Sequence, residues 1–185
     1  MGLAELFLLA VSLSMDAFSV SVCGSMALQP ESRTKGALSF GCWFGGFQFL
    51  MPVIGYYAAQ LVAEYITAYD HWIAFILLCY IGINMIRESG GSCEIVHAYS
   101  FKKMLTLAVA TSIDALAVGV SFAFLKVNVW TSSLLIGITT FCFAFVGGLL
   151  GFKVGERFRT QAEIAGGAVL CLLGLKILLE GLGLL

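Results

Sequence analysis

Leu9 to Val22 reads LAVSLSMDAFSVSV and Leu107 to Val120 reads LAVATSIDALAVGV, and eight of the fourteen aligned positions are identical at an offset of 98. The likeness continues through Phe47/Phe143, Phe49/Phe145 and Gly55/Gly151 at offset 96, then through Leu78/Leu170, Cys79/Cys171, Gly82/Gly174 and Glu88/Glu180 at offset 92. A shrinking offset means shorter connections in the second copy. The chain reads as one transmembrane domain over 1–185 made of two repeats, the first over about 1–88 and the second over about 104–185, joined by a linker at 89–103.

Composition sets the solvent. Of 185 residues, 60 % are hydrophobic and 11 % charged, with a mean hydropathy of +0.98, whereas a soluble domain carries about 25 % charged residues. There are too few polar side chains to cover a water-facing surface. A net charge of −1 leaves no basic footprint for nucleic acid, and no phosphate-binding loop is present for ATP hydrolysis. A bilayer core of roughly 30 Å takes about 20 apolar helical residues to cross. Six stretches between charges approach that length: Leu6 to Ala27, Ala37 to Val62, Trp72 to Ile86, Met104 to Leu125, Val129 to Phe152 and Ile164 to Leu182. The first has an acid in its middle and neither a basic leader nor a cleavage site, so it reads as a span and not as a signal peptide.

The expected fold class is an all-α membrane protein of six transmembrane helices. Three helices per repeat is an odd number, so the second copy enters the membrane from the opposite side. That gives two inverted three-helix repeats, the arrangement in which secondary transporters place their site near the midplane. Arg33, Lys35, Arg87, Lys102, Lys103, Lys153, Arg157 and Arg159 fall in loops one, three and five, and only Lys126 and Lys176 remain for the other side. The positive-inside rule then puts those loops in the cytoplasm and both termini outside.

Asp16 and Asp114 are the acids well inside the expected spans, each at the equivalent position of its repeat. A charge there costs at least roughly 2.5 to 3.5 kcal/mol on insertion scales, so it needs a partner, a proton or a cation. Ser12, Asp16, Ser19 and Cys23 form a stripe at helical spacing on the first span, and Thr111, Asp114 and Ser121 a looser one on the fourth. Two carboxylates with hydroxyl and carbonyl oxygens make a hard site that suits Mg, Ca or Mn. The candidate metal-contacting residues are Asp16, Asp114, Gln48, Ser19 and Thr111. Gln48 lies in FGGFQFLMPVIG, where its amide oxygen is offered to an ion or its amide bonds a neighbouring helix. Pro52, in the same segment, removes a backbone bond and can kink the helix. Two buried acids that repel when the site is empty also suggest protons as counter-ions.

Lesser features have plainer readings. Small residues at four-residue spacing, as in Gly41/Gly45, Gly55/Ala59 and Gly147/Gly151/Gly155, let helix backbones approach closely. Lys176 is expected to snorkel to the outer interface, its rival role being countercharge to the aspartates. Five of the six cysteines, all but Cys93, lie in apolar runs and read as small membrane hydrophobes without disulfides. Cys93, Glu94 and His97 in the linker form a low-specificity metal pattern.

SMDAFSVSV from Ser14, HWIAF from His71, TSIDALAVGVSFAFL from Thr111, AEIAGG from Ala162 and the FGxxQxxMPxxG segment together closely resemble the MntP family of bacterial manganese efflux pumps. The resemblance covers nearly the whole chain. It implies a multi-pass exporter of Mn(II) in the bacterial inner (plasma) membrane, related to the lysine-exporter-like transporters, with Mn(II) as substrate and no resident cofactor. It also carries the family's two membrane aspartates onto Asp16 and Asp114. The expected partners are Mn(II), the lipid bilayer and protons. The alternatives are a passive divalent-cation channel and a paralogue that exports another small cation. An aspartyl protease does not fit, because Met15 and Ile113 precede the acids and no GxGD occurs.

Overall fold

The computed structural model describes residues 2–26, 28–63, 70–89 and 101–183, and every regular element among them is helical. In chain order these are α1 (Leu3–Met26), a 3-10 turn (Pro30–Ser32), α2 (Arg33–Ala63), α3 (Asp70–Glu88), α4 (Phe101–Thr111), α5 (Ile113–Phe124) and α6 (Val129–Gly181). Helix is what lipid demands, because a backbone without water must satisfy its N–H and C=O groups within its own segment. Among the described residues, five stretches are long and apolar enough to cross a membrane: Leu3–Met26, Arg33–Leu61, Phe101–Phe124, Val129–Gly151 and Thr160–Gly181. The sixth expected span has only the shorter apolar run His71–Arg87.

Three local details differ from expectation. Helix α2 runs without interruption through Pro52. The fourth span breaks into α4 and α5 at Ser112, whose φ of −107° and ψ of 2° leave the helical region. Helical backbone also continues between the expected fifth and sixth spans, so both fall within the 53 residues of α6. Packing along α1 nevertheless shows that α6 doubles back. In its first half the paired positions rise together: Ser14 bonds Thr140 at 2.9 Å, a Cβ on Gly147 would lie 2.9 Å from the Phe18 carbonyl, and one on Gly151 would lie 2.6 Å from that of Val22. In the second half they run oppositely, with Gly166 against Ser12 and Met15 and Lys176 paired with Glu5. The two halves of α6 are therefore antiparallel to each other, as two successive crossings require.

The dense packing joins the first three helices to the last three. Helix α1 packs chiefly on α6, α2 on α6 and α5, and α3 on α6 and α5, while α1 and α2 barely meet. Leu9, Leu13, Leu78, Ile81, Phe122, Ile136 and Leu170 form one buried cluster, and Phe40, Phe44, Met104 and Ala108 a second. Backbones approach most closely where α2 crosses α5. A Cβ on Gly55 would overlap the Leu116 carbonyl, and one on Gly119 the Pro52 carbonyl. Gly41, Gly45, Gly147 and Gly151 likewise face carbonyls of other helices, so the small-residue spacing serves packing. At the interface of α3 with α6, Cys79 Sγ lies 4.0 Å from the Cys171 carbonyl and Cys171 Sγ 3.9 Å from the Cys79 carbonyl.

Candidate metal site

Gln48 holds the middle of the molecule. It has no exposed surface, and its Nε2 donates to the carbonyls of Leu13 at 3.3 Å and Thr111 at 3.2 Å. Two carbonyl acceptors require the NH2 end of the amide to face them, which fixes the opposite orientation for Oε1. That oxygen is buried and has no hydrogen-bond partner. Of the two readings offered for this residue, the interhelical bond is the one observed: the nitrogen bridges α1 to the end of α4. Leu13 and Thr111 stand 98 residues apart, the offset of the two aspartate-bearing stretches. One amide therefore spans equivalent positions of the two copies, and Asp16 and Asp114 each follow three residues later.

The two carboxylates have different local settings. Asp16 is half-buried in the middle of the continuous helix α1, whereas Asp114 is half-buried in the first turn of α5, the helix end that favours negative charge. The break that creates this end is lined by polar atoms tied back to the chain. Ser112 Oγ donates to the Ala108 carbonyl at 2.6 Å, and its N–H bonds Val109 in a tightened turn at 3.1 Å. Thr111 Oγ1 donates to the carbonyls of Leu107 at 3.0 Å and Ala108 at 3.3 Å. Its carbonyl is the one that Gln48 binds, so both oxygens of Thr111 are hydrogen-bonded.

Ser19 behaves differently from most hydroxyls of α1. Ser12, Ser14, Ser21 and Ser25 each donate to a carbonyl of their own helix, the usual outlet for a hydroxyl in lipid. Ser19 Oγ is buried and has no partner. Gln48 Oε1 shares this condition. Among the described residues no three His, Cys, Asp or Glu side chains gather as a metal cluster, so a cation here would depend on two carboxylates supplemented by amide, hydroxyl and carbonyl oxygen.

Lys176 reaches the end of the bundle, where it pairs with Glu5 and lies 3.4 Å from Glu180, and this agrees with snorkelling. Cys42, Cys79, Cys142 and Cys171 are free thiols. Cys23 corrects the reading of the cysteines, since it is disulfide-bonded. Cys93, Glu94 and His97 lie outside the described residues. Sequence reading passed over Glu163, set just before the expected sixth span. It is 8 % exposed and lies within the apolar stretch Thr160–Gly181. Ser132 and Ser133, both buried with unpartnered hydroxyls, were also missed. Their signal was faint, because adjacent serines near a helix start ordinarily mark a cap.

Comparison with known proteins agrees with the resemblance. Residues 31–178 match the family described as "Putative manganese efflux pump". Among similar chains, a protein of Desulfitobacterium hafniense named "Putative manganese efflux pump MntP" is 54 % identical over 186 residues, covering 100 % of this chain and 98 % of its own. Proteins of the same name from Acetivibrio thermocellus and Methanosphaera stadtmanae are 49 % and 46 % identical, with 100 % and 95 % of this chain and 94 % and 98 % of theirs covered. No solved structure matches.

Proposed function

Because the chain belongs to the MntP family of manganese efflux pumps, we propose that it exports Mn(II) by alternating access around a midplane site of Asp16 and Asp114. Gln48 Oε1 and Ser19 Oγ complete the oxygen set, and Thr111 stands beside them with its hydroxyl bonded to its own helix and its carbonyl bound by Gln48. The observation that carries this reading is the Gln48 amide, bound at once to the carbonyls of Leu13 and Thr111. A group shared by equivalent positions marks the axis about which two inverted repeats would rock, and it brings the segments that bear both aspartates to that axis.

The packing supports the repeat in the same way. The first three helices are thinly packed on one another and are covered by the last three, and the reciprocal contact of Cys79 with Cys171 joins positions that correspond in the two copies. The Mn(II) charge is balanced by two carboxylates, and its preference for oxygen fits the amide and hydroxyls. When the metal leaves, like charges remain close in low dielectric, and protons relieve them. Export would therefore exchange Mn(II) for protons. The distribution of basic residues puts the odd-numbered loops in the cytoplasm of a bacterium and both termini outside its inner membrane.

The test is Mn(II) accumulation in everted membrane vesicles that contain the protein or its variants. Saturable uptake that is lost in both Asp16→Asn and Asp114→Asn, with the proteins still inserted, is the expected result. Normal uptake in either variant would remove that aspartate from the site.

A further inference from the structure

We propose that Glu163 is a third carboxylate of the cation path, which binds the divalent metal between the Asp16–Asp114 pair and the reversal of α6; this rests on the transport reading above. The register of the second half of α6 along α1 gives its position. Lys176 pairs with Glu5, and a Cβ on Gly166 would lie 3.2 Å from the Ser12 carbonyl and 3.1 Å from Met15 Cγ. Ala162 lines the same cleft as Met15 and Phe18. Continued in the antiparallel sense, that register sets Glu163 opposite the turn from Asp16 to Ser19.

A second observation points to a ligand at this level. Ser12, Met15 and Ser19 follow at intervals of three and four, so all three share the α1 face that meets this half of α6. Ser19 is 4 % exposed and its Oγ has no hydrogen-bond partner, whereas Ser12, one face-repeat earlier, is tied to the Leu8 carbonyl at 2.9 Å. A buried hydroxyl without a hydrogen-bond partner, which this register sets across from a buried carboxylate, has the makings of a hard-cation contact of one anionic and one neutral oxygen. Glu163 is 8 % exposed in an apolar stretch, where ionisable side chains mark ion pathways. The cation would meet Glu163 and Ser19 first and pass to Asp16 within about one helical turn, some 5 Å along α1.

Two measurements test this. In the wild-type protein, a hydrophobic carbodiimide should modify Glu163 in the absence of metal, as read by peptide mass. Mn(II) should suppress that modification over the concentration range that half-saturates vesicle uptake. Modification that ignores Mn(II), or a Glu163 that never reacts, would overturn the proposal without any need for a variant. In vesicles, Glu163→Gln should raise the half-saturating Mn(II) about tenfold with a smaller fall in maximal rate, and Glu163→Asp should recover most of the loss. An unchanged half-saturating concentration in Glu163→Gln would mean a structural role and would overturn it. If Asp16→Asn transports normally while Glu163 is still protected by Mn(II), the aspartate-pair reading fails and the Glu163 contact stands.

Discussion

At the scale of single residues, Asp16 and Asp114 are set apart by what their surroundings do with polar atoms. Most hydroxyls near them are spent on their own helices, so the unspent oxygens of Gln48 and Ser19 are the ones that can meet a cation. Gln48 separates binding from architecture, and a substitution can be chosen to expose both. Gln48→Leu keeps the volume but removes the bonds to the Leu13 and Thr111 carbonyls. Each lost hydrogen bond is worth about 0.5 to 1.5 kcal/mol net, and more where a buried acceptor is left unpaired. Thermal unfolding in detergent should show a loss of roughly 1 to 3 kcal/mol, and vesicles should need more Mn(II) to reach half-saturation. A variant as stable as wild type would mean that the bridge between α1 and α4 carries no weight. Ser112→Ala, by contrast, removes a hydroxyl already tied to Ala108 and leaves the carbonyls that Gln48 uses, so it should alter uptake less than Gln48→Leu in the same vesicles.

At the scale of helices, close approach is the currency of packing in lipid, where burying apolar surface against other apolar groups brings little. Gly119 meets the Pro52 carbonyl and Gly55 that of Leu116, while nothing lies within 4 Å of a Cβ on Gly46. Gly119→Ala and Gly55→Ala should each cost about 1 to 3 kcal/mol by overpacking, and Gly46→Ala on the open face of α2 should be neutral or stabilising through helix propensity. Equal melting temperatures for all three would refute the tight crossing of α2 with α5. The six apolar stretches and both aspartates were legible in the sequence because charges bound the spans and the repeat singles out matching positions. The break at Ser112 was not legible, for a physical reason. Ser14 and Ser112 occupy equivalent positions and donate alike at 2.6 Å to the carbonyls of Ala10 and Ala108, yet α1 stays whole and the fourth span divides. The serines bond alike, but β-branched Thr111 and Ile113 flank Ser112 where Leu13 and Met15 flank Ser14, and Thr111 adds its own bonds to the Leu107 and Ala108 carbonyls, so the likeness of the repeats hides a local difference that weakens the helix. Glu163 escaped for a different reason: its burial comes from the doubling back of α6, which no local window of sequence contains.

At the scale of the whole molecule, the pairing of Glu5 with Lys176 joins the start of α1 to the end of α6, so these two helix ends lie at one end of the bundle. If basic loops mark the cytoplasm, single cysteines introduced at Lys35 and Lys126 should label with an impermeant reagent from the cytoplasmic and outer sides respectively, and a tag after Leu185 should be reached from outside. Labelling in the opposite sense would invert the direction assigned to transport. Direction in turn fixes the sign of coupling. Under the proposed exchange, an empty site with two like charges would take up protons and a filled one would release them, so protons would move inward as Mn(II) moves outward. In everted vesicles the lumen stands for the exterior. An acidified lumen should therefore drive Mn(II) inward past equilibrium with the medium, and collapsing the pH difference with an ionophore should let the excess leak back. A passive cation channel would only equalise the two sides, whatever the pH difference. If accumulation past equilibrium persists when the gradient is collapsed, protons are not the counter-ion; if it never occurs under any imposed gradient, the protein does not pump, and the paired aspartates serve a pore.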